Sequence, residues 1–375
     1  LSQNVALLLI IIISSLFALI GILYSIKHYG LSNYLTAGRN VETLSLTTSL
    51  VASALGAWIL FGPASAATWG GIGSVIGYSL GTAFPMIAFI FLGTKIRKTF
   101  PKGNTLTEFI YRKFGKNIFK LVLILVIFYM FIFLCAEVTA VSMLVNYISG
   151  TPLWLTATLV IITTLTYTLY GGLRASILTD NIQFFIVITL LFISLYYLFF
   201  LNNDNLSFED IQTNSSHLLS LQYIPNYTAG LTFFIAVAAT NLFHQGNWQR
   251  IFAAKDNEVL KKSLLFSFII IIPIVFFMGI SGIMAVSMDD NVNPDLAFFS
   301  ILLKDKTDFL SIIIIILAVS LTISTIDTLV NAISSIIVVD GKKIYTQSTQ
   351  NNFLGLSKVL IIILSCISLV VASKG

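Results

Sequence analysis

Asp327 stands in the run Ser324-Thr325-Ile326-Asp327-Thr328, near the middle of a long apolar stretch. A carboxylate at bilayer depth is costly and is kept mostly where it meets an ion, a proton or a partner charge. Carboxylate and hydroxyl oxygens are the ligands that small hard cations take. The run therefore points to cation or proton handling inside a membrane. On a helix, Ser324, Asp327, Thr328 and Asn331 share one face, which Ser320 and Ser335 extend. Such a stripe must face protein or water. Contacts between helices through Ser and Thr would explain the hydroxyls but do not need Asp327.

Other positions admit more than one reading. Small residues surround Gly56 in Ser53-Ala54-Leu55-Gly56-Ala57-Trp58, and Gly62-Pro63 follows. This is either a broken helix whose freed carbonyls coordinate a cation or a helix with small residues for close packing. Asn241, His244, Gln245, Asn247 and Gln249 crowd around Gly246. They form either a solute-binding segment or an interfacial helix end anchored by Trp248 and Arg250. In the first case His244, Gln245 and Asn247, with Trp58, suit a small polar organic solute such as an amino acid, a small carboxylate or a urea-like compound. Asp180 opens an apolar run. It is a functional carboxylate, one favoured by the helix dipole, or a partner for Arg174. Glu137 lies inside an apolar run beside Thr139 and Ser142, and its role stays open.

These residues need a membrane scaffold, and the composition supplies one. The chain is 57% hydrophobic and 10% charged, against about 25% charged in soluble domains. A spanning helix needs about 20 mostly apolar residues. Ten stretches qualify in a single polytopic domain over 1–375: 5–26, 46–69, 72–96, 119–148, 153–170, 177–201, 229–249, 263–287, 309–339 and 355–373. The first lacks a basic leader and is too long for a signal peptide. Of 21 Lys and Arg, 18 fall in one set of loops; the opposite loops hold only Lys304, Lys306 and Lys374. The basic side is expected to be cytoplasmic, with the N-terminus outside the cell membrane. The net charge of +5 is thus a topology signal and not a nucleic-acid patch. Cys135 and Cys366 lie in apolar runs, so neither a disulfide framework nor a zinc site is expected. Asn205, Asn214 and Asn226 head formal glycosylation sequons, which chance explains in so Asn-rich a stretch. A His-rich metal cluster and a nucleophile–base pair are both lacking, so no enzymatic activity is expected.

The chain resembles the sodium:solute symporter family, which includes sodium/proline, sodium/sugar and sialic-acid symporters. The resemblance rests on Thr36-Ala37-Gly38-Arg39-Asn40, on Tyr170-Gly171-Gly172-Leu173-Arg174 through Thr179-Asp180-Asn181-Ile182-Gln183, on Trp248-Gln249-Arg250 through Ala253-Ala254-Lys255-Asp256, and on Ser324-Thr325 through Ser334-Ser335 to Asp340. It implies an all-α membrane fold of two inverted five-helix repeats behind one extra N-terminal helix, with the first and sixth core helices broken. It also implies a sodium site made by the carbonyls of Ala52, Leu55 and Leu321 and the side chains of Ser324 and Thr325. A second cation would fall on Asp180, Asp327 and Thr328, near Ser324. Ile59, Tyr78 and Gly81 stand where sugar-transporting members carry sugar contacts, which argues against a hexose. His244 takes the place of an Asn in those members, and Ala54 that of a carboxylate in the proline branch.

The expected function is sodium-coupled symport of a small polar solute by alternating access, with Na+ as coupling ion and a pocket between the second, fourth, seventh and ninth stretches. Two rivals remain. One is a membrane sensor of the same fold. The other is proton coupling through Asp327 or Glu137. The chain starts at Leu1 and carries nine stretches after the first where the fold calls for ten, so the natural protein is expected to continue.

Overall fold

A computed structural model describes all residues except 29, 202–214, 290, 305–306 and 345–349, with the backbone alone at 201 and 350–352. Among the described residues there is no strand, only one bridge between Val41 and Ala254. The main helices are α1 (Gln3–Lys27), α2 (Leu31–Thr36), α3 (Thr43–Ala54), α4 (Gly62–Thr99), α5 (Leu106–Ser149), α6 (Leu153–Tyr196), α7 (Ile224–Phe243), α8 (Gln245–Ala253), α9 (Asn257–Met288), α10 (Asp308–Ile344) and α11 (Gln350–Ala372). Seven described helical segments are long and apolar enough to cross a membrane.

Length shows where single helices must be read as two. α6 has 44 residues, about 66 Å at 1.5 Å per residue, twice the hydrocarbon core. Gly172 interrupts it at φ 59°, between the expected stretches 153–170 and 177–201. A Cβ there would also strike Tyr34 of α2. The stretch expected at 46–69 does not run on as one helix. It stops at Ala54, and α4 begins at Gly62 after a short 3-10 turn, Ala57–Leu60. The stretch expected at 229–249 is likewise divided, at His244.

α10 is the buried mast of the molecule. It packs on α1, α3, α5, α6 and α11, and 83% of its most apolar window is buried. That is why it can carry a polar stripe. α4 packs along α7 and α9, closely because glycines let backbones meet. A Cβ on Gly282 of α9 would run into the Ala64 carbonyl, and one on Gly73 into that of Asn226.

The segments that carry the family resemblance meet at the basic end. Arg174 donates to the Ala37 carbonyl (2.7 Å) and Asn40 Oδ1 (2.6 Å). Lys255 N donates to the Val41 carbonyl (3.0 Å). Asp340 accepts from Thr105 (3.0 Å) and Thr107. Arg174 is therefore spent on the α2–α3 connection and does not pair with Asp180. Of the three sequons, Asn205 and Asn214 lie outside the described residues. Asn226 is buried, its amide donating to the carbonyls of His217 (2.7 Å) and Ser220 (2.8 Å), which leaves no room for a glycan.

Candidate functional site

The break after α3 is held open by Glu137. In a continuous helix, each N–H donates to the carbonyl four residues back. Here Leu55 is extended at ψ 90° and Gly56 at ψ −178°. Ala57 N donates to Glu137 Oε2 (2.8 Å) and Trp58 N to Glu137 Oε1 (3.3 Å). Ile59 N donates to the Gly56 carbonyl (3.2 Å). The carbonyls of Ser53, Ala54 and Leu55 thus lose the donors that a continuous helix would have given them. Glu137 is fully buried on α5, and among the described residues no cation lies within ion-pair reach of it. The residue whose role the sequence left open is the cap of the broken helix.

The break lies against the α10 hydroxyls. A Cβ on Gly56 would run into Glu137 Oε1 and come within 2.8 Å of Thr325 Oγ1, so only glycine lets the turn approach. Thr325 donates to the Leu321 carbonyl (3.1 Å) and Ser324 to Asp180 Oδ1 (2.6 Å). Each hydroxyl spends its proton and keeps lone pairs to offer a cation. Ala52, Leu55, Leu321, Ser324 and Thr325 are all buried.

The second expected cation group is differently arranged. Asp180 pairs with Arg250 at 2.7 Å, both side chains fully buried. Arg250 Nη2 also donates to Thr328 Oγ1 (2.8 Å), and Nε donates to Ser49 Oγ (2.8 Å). Asp327 accepts from Tyr167 (2.6 Å), Ser176 (2.8 Å), Thr179 (3.2 Å) and Thr328 (3.4 Å). The reading of Trp248 and Arg250 as interfacial anchors therefore gives way. Trp248 is buried edge-on to Phe89 and donates to the Leu242 carbonyl (2.8 Å), and Arg250 is an internal charge.

A cavity of about 220 Å³ adjoins the break, lined by Ser53, Ala54, Trp58, Tyr78, Tyr129, Phe133, Val237, Thr240, Asn241, His244 and Asn247. Its walls come from α3, the 3-10 turn, α4, α5, α7 and α8. α10, the ninth expected stretch, does not line it. Trp58 stacks on Tyr78, and Tyr129 and Phe133 each meet His244 edge-on. No lining residue is charged. Gly246 N donates to His244 Nδ1 (3.1 Å), which in the neutral ring puts the proton on Nε2. That buried Nε2–H has no partner among the described residues. Asn247 donates from Nδ2 to the Asn241 carbonyl (3.1 Å), and its Oδ1 is an acceptor.

Trp58, His244 and Asn247 are thus brought together. Gln245 is not: its Oε1 accepts from Leu106 N (3.1 Å), and its Nε2 faces the Asn104 carbonyl and Ser335 Oγ (both 3.3 Å). Sequence reasoning missed Tyr129 and Phe133 as wall residues. Their spacing of four, continued to Glu137, puts all three on one helix face and was the available signal.

A broken α3, a second break at His244 and a buried hydroxyl-lined helix beside them describe a membrane transporter fold. The family model for the sodium:solute symporter family matches residues 34–375, and the chain belongs to that family. It is 26% identical over 347 residues to a spermidine transporter of Candida albicans, covering 92% of this chain and 65% of that one. It is 25% identical over 169 residues to a urea active transporter of Saccharomyces cerevisiae, 43% of this chain and 22% of that one. The chain thus spans less than two thirds of the length of these relatives. Among solved structures, it resembles a Na+-coupled sialic acid symporter in a substrate-bound outward-open state. The TM-score is 0.81 at 17% identity, over 98% of this chain and 80% of that one. It also resembles Mhp1, a nucleobase-cation-symport-1 family transporter in a closed conformation with bromovinylhydantoin bound. There the TM-score is 0.64 at 13% identity, over 91% and 77%. The fold is the five-plus-five inverted repeat with an extra N-terminal helix, its first core helix broken at Leu55–Gly56 and its sixth at His244. It is a multi-pass membrane protein of a family of transporters, not of enzymes.

Proposed function

We propose that this protein is a sodium-coupled symporter that imports a small polar, nitrogen-bearing solute by alternating access. The observation that carries the proposal is the contact of the α3 break with Thr325. The turn at Gly56, where Leu55 lies outside a regular helix, comes up against Thr325 Oγ1, which keeps lone pairs to offer, and Ser53, Ala54 and Trp58 on either side of the turn line the solute cavity. Sodium held by Ala52, Leu55, Leu321, Ser324 and Thr325 would fix the broken helix and so shape the cavity wall that carries Trp58. By linkage, the solute would tighten sodium binding by the same factor. The cavity volume suits a small solute. His244 Nε2–H offers a donor to a carbonyl or carboxylate oxygen, and Asn247 Oδ1 accepts an N–H. The names of the two relatives, a urea and a spermidine transporter, agree with nitrogen-bearing cargo. The Lys and Arg distribution supports a cell-membrane orientation with the N-terminus outside.

Ser324→Ala should raise the sodium concentration needed for half-maximal uptake. An unchanged sodium dependence would contradict the site. Asp327 has no cationic partner within ion-pair distance among the described residues, which favours a second reading, proton coupling. Uptake driven by a pH gradient in sodium-free medium would select it.

A further inference from the structure

We infer that Arg250 fills the second cation position with its own guanidinium, so that this chain carries one exchangeable sodium rather than two. The inference rests on the reading that Asp180, Asp327 and Thr328 are placed to form a cation site. The geometry then says which cation they hold. Arg250 Nη2 lies 2.7 Å from Asp180 Oδ2 and 2.8 Å from Thr328 Oγ1. It bridges the two atoms that a bound ion would have to bridge. Nε donates to Ser49 Oγ at 2.8 Å, and Ser49 donates on to Asp180 Oδ2 at 2.6 Å. Nη1 donates to the Gly246 carbonyl at 3.2 Å. Thr328 Oγ1, having accepted from Arg250, faces Asp327 Oδ1 at 3.4 Å, so the guanidinium reaches Asp327 through one hydroxyl.

The placement is built in. Arg250 is the largest fully buried side chain of the molecule's described residues. A Cβ on Gly246, one turn earlier on α8, would strike Thr328 Cγ2, so α8 is pressed against α10 where the guanidinium crosses. A sodium at this position would have to compete with the guanidinium for Asp180 Oδ2 and Thr328 Oγ1, both of which already accept from Arg250 Nη2. Arg250 also lies on α8, just past the His244 break, while Asp180 lies on α6 and Thr328 on α10. The tethered cation therefore moves with the broken helix and does not exchange with solvent.

The test is to count radioactive sodium bound at saturation to the purified full-length protein, for wild type, Arg250→Gln and Arg250→Lys. The expected result is one more sodium per chain on Arg250→Gln than on wild type, and no gain on Arg250→Lys, which keeps the charge. Equal counts on wild type and a folded Arg250→Gln would overturn the inference. Should Arg250→Gln not fold, the wild-type count decides: two sodium ions per chain overturn it and one upholds it. No sodium on wild type with one on Arg250→Gln would overturn the symport proposal and uphold this inference.

Discussion

Arg250 and Asp180 meet at 2.7 Å with neither side chain exposed, joining the helix that follows the His244 break to α6. A pair this deep is sustained by its hydrogen bonds, and removal of one partner strands the other. Asp180→Ala should therefore lower stability by about 3–5 kcal/mol. Asp180→Asn with Arg250→Gln should recover part of that loss. Thermal unfolding of the detergent-purified single and double variants checks both. A single variant as stable as wild type would mean that the pair is not formed.

Glu137 is predicted to act on sodium through the backbone. Glu137→Ala removes the acceptor of Ala57 N and Trp58 N, hydrogen bonds worth about 0.5–1.5 kcal/mol each. Sodium affinity should fall by about tenfold or more, with Glu137→Gln intermediate because its amide keeps one acceptor. Sodium titration of thermal stability reads this. Unchanged affinity in Glu137→Ala would show that the break holds itself.

The α7–α8 segment was legible in part, and the reasons are physical. Ser324, Thr325 and Asp327 announced themselves because hydroxyls and a carboxylate are expensive in an apolar helix. The small residues around Gly56 suited a break and close packing equally, and the sequence left the two open. The alternative of Arg250 as an interfacial anchor stayed open in the sequence because a cation after a Trp at the end of an apolar run looks like an interface. Its burial depends on Asp180, 70 residues away, which no local pattern reveals. Tyr129, Phe133 and Glu137 share a face, yet aromatic residues in an apolar run also suit lipid. Gln245 was grouped with His244 by adjacency, although His244 is extended at the break and Gln245 opens α8, its side chain facing Leu106 and Ser335.

That distinction can be measured. His244→Phe keeps a ring and removes the unpartnered Nε2–H, so it should weaken solute binding by roughly 5- to 150-fold, the worth of about 1–3 kcal/mol, and leave sodium affinity in place. Gln245→Ala should leave solute affinity near wild type, because that side chain does not line the cavity. A larger loss in Gln245→Ala than in His244→Phe would reverse the assignment. Competition binding with labelled solute compares them.

Close packing of α4 on α9 gives a prediction free of any function. Gly282→Ala drives a Cβ into the Ala64 backbone carbonyl, which cannot rotate away. A loss of about 1–3 kcal/mol is expected from such overpacking. Gly355→Ala, which meets nothing within 4 Å, should be near neutral. Melting temperatures of the two variants decide it.

The central claim is that sodium at the α3 break prepares the solute cavity. The most direct measurement is thermal stabilisation of the purified protein by a panel of small nitrogen-bearing solutes, in sodium and in potassium, for wild type and Thr325→Ala. The account predicts that a solute stabilises the wild type in sodium and not in potassium, and that Thr325→Ala needs about tenfold more sodium for the same effect. Equal stabilisation by that solute in both salts, or a Thr325→Ala variant with wild-type sodium dependence, would contradict it.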